Sequence, residues 1–219
     1  MVEADAAGQR RTGGASGVAA RHLARRGATT LGVIGCGWQA EAQVEAVRAA
    51  VPTVVRVLAY CRTTERLLAF CAKNGVEPAE SAAEAAAQEI VVTITTSRDP
   101  VLRGEWLRAG ALVCAAGAND PRKRELDDVV LERASFVCCD SKDDARLESG
   151  DLIEPVRNGV LDWLEVHELH EVVVGGEVRG RGSDDDIVVF KSNGLAAWDV
   201  AIAAELVRRA RERGVGTEL

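Results

Sequence analysis

Gly35, Gly37 and Ala40 stand at a spacing that serves one kind of chemistry, the holding of a phosphate against bare backbone. Gly35 suits a tight turn, Gly37 leaves the backbone approachable, and Ala40 lets the following helix pack close to the preceding strand. Peptide N–H groups at the start of that helix then attract an anion. The context fits: Thr29 to Ile34 reads as a buried strand and Trp38 to Ala50 as a helix with apolar spacing. Cys36, Trp38 and Gln39 complete the turn and are expected beside a dinucleotide pyrophosphate, Trp38 as a packing residue that shields it. A second signature follows the next strand, where an enzyme selecting NAD usually places an acid for the ribose hydroxyls. Here the chain has Cys61, Arg62 and Thr63. Arg62 can pair with a 2′-phosphate and Thr63 or Thr64 can donate to it, so NADPH is expected rather than NADH. The competing reading makes Thr63 a helix cap and Arg62 a solvated charge.

The elements that must position these residues alternate along the chain. Strands are predicted at Leu31 to Ile34, Val54 to Tyr60, Val76 to Pro78, Glu89 to Thr95, Leu112 to Ala116, Ser135 to Asp140 and Ile187 to Phe190. Between them lie helices at Trp38 to Ala50, Thr64 to Lys73, an alanine-rich stretch opened by the Ser81/Glu84 capping box, and Leu126 to Arg133. Further helices are predicted at Ala15 to Arg26, Asp143 to Glu148, Trp163 to Val172 and at the C-terminal end. Most strands are apolar throughout, which implies a doubly wound parallel sheet, of Rossmann type, covered on both faces. In the last helix Leu195, Trp198, Ile202 and Leu206 recur at helical spacing, while Arg208 to Arg213 belong in solvent.

Composition narrows the partners. The 219 residues are 47% hydrophobic, enough for a real core, and carry a formal charge of −7 without a basic block. Nucleic acid and anionic membranes are therefore poor partners, and small anions must be met by local groups. The polar, glycine-rich Met1 to Gly14 lacks the apolar core of a signal peptide, so a cytoplasmic location is expected. The cysteines, Cys36, Cys61, Cys71, Cys114, Cys138 and Cys139, are predicted to be free thiols, with the vicinal pair pointing to opposite faces of a strand. His22, His167 and His170 fall on predicted helices, and no metal site is expected.

Several motifs together resemble the ornithine cyclodeaminase and mu-crystallin family. They are Arg-Thr-Gly-Gly-Ala-Ser-Gly at Arg11 to Gly17, the glycine turn at Leu31 to Ala40, and Thr-Thr-Ser-Arg-Asp-Pro-Val-Leu at Thr95 to Leu102. Gly117 to Asp127, Glu148 to Leu152 and Phe-Lys-Ser-Asn-Gly-Leu-Ala at Phe190 to Ala196 extend the match. The resemblance implies a homodimer with a nicotinamide cofactor and hydride exchange with the α-carbon of an imino or amino acid. One branch of the family cyclises ornithine to proline with loss of ammonia; others are dehydrogenases and reductases of imines, and a crystallin branch suggests a binding role without catalysis.

By the same resemblance Arg11 grips the substrate carboxylate, a task suited to a guanidinium, and Thr12 donates to a cofactor phosphate. Thr95, Thr96 and Ser97 would line the cofactor with hydroxyls at its adenosine or ribose, Gly117 would line the cofactor as well, and Lys191, Ser192, Asn193 and Gly194 would lie beside the nicotinamide. Lys191, ending a strand, is read as an exposed residue without a catalytic role. The cyclodeaminase pattern has an aspartate where this chain has Asn119, with Asp120 one place later; both are candidate catalytic residues, Asp120 by a register shift of one that Pro121 opposes. An amide orients a substrate or water but cannot act as a carboxylate base, which favours a reductase over a lyase. Family members carry about a hundred residues ahead of the Arg-Thr motif, a domain-sized block. The expected organisation is thus a remnant of a substrate and dimerisation domain over 1–26, a dinucleotide-binding domain over 27–190, and a C-terminal helix over 191–219 that returns to the incomplete second domain. The apolar face of that helix, with Trp198 and Ile202, is expected to be exposed here.

Overall fold

Fully apolar strands must be covered on both faces, and the arrangement of this chain follows from that demand. The computed structural model describes residues 4–176 and 178–216, so the first three residues of the 1–26 segment, Glu177 in the glycine-rich loop and the last three of the 191–219 segment lie outside it. The strands are β1 (Thr30–Ile34), β2 (Arg56–Tyr60), β3 (Glu77–Pro78), β4 (Ile90–Thr93), β5 (Leu112–Ala115), β6 (Ala134–Cys139), β7 (Val166–Glu168) and β8 (Ile187–Lys191). They form one sheet in the order β3-β2-β1-β4-β5-β8-β6-β7, with every pairing parallel. After β1 the chain winds outward through β2 and β3, then crosses back to β4 on the other side of β1. The cleft for a ligand in such a sheet lies at that reversal, beyond the carboxyl ends of the strands.

Alternate side chains of each strand enter two separate cores. Leu31, Val33, Val57, Val92, Cys114 and Phe190 face one, with α1 (Ala4–Leu23), α2 (Trp38–Ala50), α3 (Thr64–Asn74) and α8 (Leu169–Val173) contributing its cover. Ile34, Leu58, Val91, Val113 and Val189 face the other, under α4 (Ala82–Ala86), α5 (Asp128–Glu132), α6 (Lys142–Glu148) and α7 (Gly150–Arg157). Cys138 belongs to the first core and Cys139 to the second, as the alternation along a strand requires, and all six cysteines are free.

Four elements differ from the sequence expectations. The first helix begins at Ala4, not Ala15, although glycine is a poor helix former. Tertiary packing decides the matter: a Cβ at Gly13 would stand 2.3 Å from the Ala42 carbonyl oxygen, and one at Gly17 would stand 3.0 Å from that of Ala46. The two glycines thus let α1 press its backbone onto α2. Within Trp163 to Val172 the chain forms β7 before turning into the short α8, because Val166 pairs with Val137 at the sheet edge and is fully buried. His167 consequently lies on a strand and stacks on Phe136 at 4.9 Å. Helix α7 was concealed by Gly150 at its start and Pro155 within it. The last helix, α9 (Ala196–Arg213), has no fully buried residue. Its open apolar strip is displaced from the expected one: Trp198 and Ile202 are half-buried, and Val200, Ala203, Ala204 and Val207 line the exposed face. Among the described residues no helix is long and apolar enough to cross a membrane.

Candidate functional site

The turn after β1 shows two different reasons for glycine. Gly35 has a φ of +113°, and a Cβ there would lie 2.3 Å from the Ile94 carbonyl oxygen, so the fold itself demands glycine. Gly37, the N-cap of α2, has ordinary extended geometry, and a Cβ on it would meet no protein atom within 4 Å. The space above this helix end is left open. No side chain caps α2, whose first N–H groups therefore point into that space. Ala40 is completely buried beneath, while Trp38 is half exposed and does not pack as expected; its carbonyl accepts from the Gln9 side chain. Burial and the neighbouring Cys61 push the Cys36 thiol pKa upward. A neutral thiol beside the turn adds no charge against a phosphate.

Arg62 leaves the sheet next to this turn. Ile34 pairs with Tyr60, and the Gly35 N–H donates to the Tyr60 carbonyl at 2.8 Å. Arg62, Thr63 and Thr64 are exposed, and Thr63 is the N-cap of α3 without a side-chain capping bond. The Cys61 thiol donates to the Thr63 carbonyl at 3.4 Å, which fixes the start of this loop. Along the carboxyl ends of β1 and β2 the chain thus presents the open helix end at Gly37, then Cys36 and Cys61, then the exposed Arg62.

Across the reversal lie the loops after β4, β5 and β8. Thr96 is exposed, but the Thr95 hydroxyl turns inward and donates to Glu125 at 2.8 Å, and the Ser97 hydroxyl donates to the Asp99 carbonyl at 2.7 Å. Gly117 donates its N–H to the same Glu125 at 2.7 Å. Asn119 is exposed at the tip. Asp120 accepts from the Arg122 guanidinium at 2.9 and 2.7 Å and from the Arg122 N–H at 2.9 Å. That grip holds its pKa well below the usual carboxylate range, so a proton-accepting role for Asp120 has no support in its surroundings. Arg98, Asp120, Arg122 and Lys123 together line an open cavity of about 290 Å³ at this end.

On the loop after β8, Ser192 donates to Asp140 at 3.1 Å, as do the Asn193 and Gly194 N–H groups at 2.8 and 2.6 Å. The Asn193 side-chain amide, buried from solvent, has neither of its polar atoms hydrogen-bonded. Lys191 corrects the sequence reading most sharply. It is fully buried, faces Asp151 at 3.2 Å, and donates to the carbonyls of Ala115, Ala118 and Ser192. Its ammonium is shut off from solvent and surrounded by protein acceptors. Arg11, one-quarter exposed, lies against Gly194 and donates from Nε to Asp199 on α9 at 3.0 Å. Thr12 donates to the Gly8 carbonyl of its own helix at 2.8 Å, so its hydroxyl is not turned to a phosphate.

The residues that sequence reasoning missed are Glu125, Asp140 and Asp151. Each sits within or beside a stretch singled out above, but only the structure reveals that they are buried acceptors. The signal available in sequence was position alone: acids that close an apolar strand or follow a glycine near a helix start. Among the described residues no cluster of three or more His, Cys, Asp or Glu side chains is arranged to hold a metal ion.

With this geometry in view, comparison with known proteins is specific. The family model described as "Ornithine cyclodeaminase/mu-crystallin family" matches residues 1–214. A Delta(1)-pyrroline-2-carboxylate reductase of Bacillus cereus is 41% identical over 217 residues, covering 95% of this chain and 66% of the relative. The structure of the Thermococcus litoralis Delta(1)-pyrroline-2-carboxylate reductase in complex with NADH and L-proline superposes with a TM-score of 0.89 at 36% identity, covering 97% of this chain and 68% of that one. An archaeal alanine dehydrogenase dimer with bound NAD gives 0.85 at 37% identity, covering 95% and 65%. The chain spans about two thirds of the length of the curated relatives it matches. A family match over nearly the whole chain, with the glycine turn and the strand-end loops arranged as described, makes this chain a member of the ornithine cyclodeaminase/mu-crystallin family.

Proposed function

We propose that this chain is the cofactor-binding portion of an NADPH-dependent oxidoreductase that transfers hydride to or from the α-carbon of an imino or amino acid. The observation that carries the reading is the uncapped start of α2 at Gly37, where a Cβ would meet no protein atom, with Arg62 two residues past the neighbouring strand. The residues fit a nicotinamide dinucleotide: α2 would hold the pyrophosphate, Arg62 and Thr63 the 2′-phosphate, and the loops after β4, β5 and β8 the nicotinamide half. When bound, the nicotinamide supplies or accepts the hydride. Asn193, with an unpartnered amide, suits its carboxamide.

Arg11 beside Gly194 is placed to attract a substrate carboxylate to that end of the cleft, with Asp199 holding the guanidinium in one orientation. Asn119 can orient the substrate nitrogen or a water but takes no proton, and Asp120 is committed to Arg122. Both points favour reduction or oxidation of a C–N bond over ornithine cyclisation. A homodimer accompanies this reading, supported by the dimeric archaeal relative.

NADPH oxidation followed by absorbance, with cyclic imino acids and with 2-oxo acids plus ammonia, tests the activity. Turnover of a member of that panel is expected from the chain joined to the preceding third of a relative. Tight NADPH binding without turnover in that fusion would replace the enzyme reading by one of a dinucleotide-binding protein, and release of ammonia and proline from ornithine would favour the lyase.

A further inference from the structure

Beneath the proposed nicotinamide end lies a sealed group of charges that no step of hydride transfer uses. Glu125, Asp151 and Lys191 are all fully buried. The Glu125 carboxylate accepts from the Thr95 N–H and hydroxyl at 2.7 and 2.8 Å through one oxygen, and from the Thr93 hydroxyl and Gly117 N–H at 2.9 and 2.7 Å through the other. Asp151 Oδ1 accepts the N–H groups of Glu125 and Leu126 at 2.7 and 2.9 Å, and Oδ2 faces Lys191 Nζ at 3.2 Å. Lys191 in turn donates to Ala115, Ala118 and Ser192. The ends of β4, β5 and β8 are therefore cross-tied through three side chains.

Stability alone is a poor reason for such an arrangement. Each buried ion costs several kcal/mol of desolvation, and a well-packed apolar cluster is often as stable or more so. What the charges add is direction, since the Glu125 carboxylate, Asp151 Oδ1 and the Lys191 ammonium between them fix the Thr95, Gly117, Glu125 and Leu126 N–H groups and the Ala115, Ala118 and Ser192 carbonyls. Burial and the nearby Asp151 push the Glu125 pKa upward, opposed by Lys191 and the Thr95 donors, so the lysine keeps the assembly in balance.

We propose that Glu125, Asp151 and Lys191 are positioning residues for the nicotinamide half of the cofactor, setting the loops at 95–97, 117–119 and 192–194 without touching the ligand. The proposal rests on the cofactor reading above and assigns that half of the site its framework. Among the described residues the turn after β1 and Arg62, assigned to the adenosine half, make no hydrogen bond to these three side chains; the turn meets the group through Thr95, which lies against Gly35. Loss of the cross-ties should thus weaken recognition of the nicotinamide and spare recognition of the rest.

Calorimetric titration with NADPH and with 2′-phospho-ADP-ribose, which lacks the nicotinamide, separates the two halves. Lys191→Met leaves Asp151 charged and unpaired and is expected to destabilise the fold. Lys191→Met combined with Asp151→Asn removes both charges yet keeps an oxygen for the Glu125 and Leu126 N–H groups, and should recover thermal stability. In that folded double variant NADPH affinity is expected to fall about tenfold or more, with 2′-phospho-ADP-ribose affinity unchanged within about twofold. Unchanged NADPH affinity, or an equal loss for both ligands, would overturn the proposal. Failure of the unaltered chain to bind either ligand would instead overturn the cofactor reading, and the proposal with it.

Discussion

In the proposed function, cofactor choice turns on Arg62. It is exposed beside the glycine turn, and among the described residues no carboxylate directly follows β2, where Cys61, Arg62 and Thr63 stand. Charge-assisted hydrogen bonds contribute about 1.5–3 kcal/mol each, so Arg62→Asp is expected to shift the NADPH-to-NADH preference by about ten- to a hundredfold towards NADH. Affinities for both cofactors measured before and after the substitution check this, and an unchanged ratio removes the phosphate assignment. Arg62 and the glycine turn were legible in sequence because their demands are local: a positive φ at Gly35, an open helix end at Gly37, a charge two residues past a strand. Lys191 was not. Its burial depends on carbonyls 73 and 76 residues away and on Asp151, and nothing in the neighbouring sequence announces that a strand-ending lysine meets acceptors on every side.

At the scale of elements, one carboxylate joins the segment between α1 and β1 to the sheet. Glu89, at the threshold of β4, accepts from the Thr29 N–H at 2.7 Å, the Thr29 hydroxyl at 3.0 Å and the Thr30 N–H at 3.1 Å, and it pairs with Arg25. Burial alone would raise its pKa, but these bonds outweigh it and draw the value down to about 2 from 4.5. A depressed carboxylate stabilises the fold above the unfolded-state pKa, and that contribution fades as pH falls from about 4.5 towards 2. At about 1.4 kcal/mol per pH unit it amounts to about 3 kcal/mol at neutral pH. Urea unfolding should show Glu89→Gln less stable by about 2–3 kcal/mol at pH 7, with a smaller deficit at pH 3. A deficit of the same size at both pH values would show that the charge is not what matters. The element pattern itself was largely readable, since apolar strands and amphipathic helices carry their periods openly. The exceptions were elements made by context: β7, stabilised by an edge pairing, and the glycine-bearing start of α1, stabilised by contact with α2.

At the scale of the whole molecule, the exposed strip on α9 sets an apolar helix face against water. Val200 and Val207 are 70% and 43% exposed, at helical spacing with Ala203 and Ala204. Sedimentation equilibrium over micromolar concentrations is expected to report association towards twice the 23.3 kDa of the chain. A single species at the monomer mass throughout would remove the homodimer from the proposed function. The strip was foreseen only in part, because the hydrophobic spacing of a helix marks every apolar position and does not say which of two adjacent faces α1 will take.

The close seating of α1 on α2 has a bearing on ligand geometry. At Gly13 and Gly17 the helix that carries Arg11 and the helix that opens at Gly37 approach backbone to backbone, with the Ala42 and Ala46 methyls beside the contact. Two anionic ligands held at those helices would be measured from one rigid datum, like the jaws of a caliper. Bulk introduced at Gly13 would alter the separation between the jaws while leaving each grip intact, and so change which substrate lengths bring their carbon to the nicotinamide.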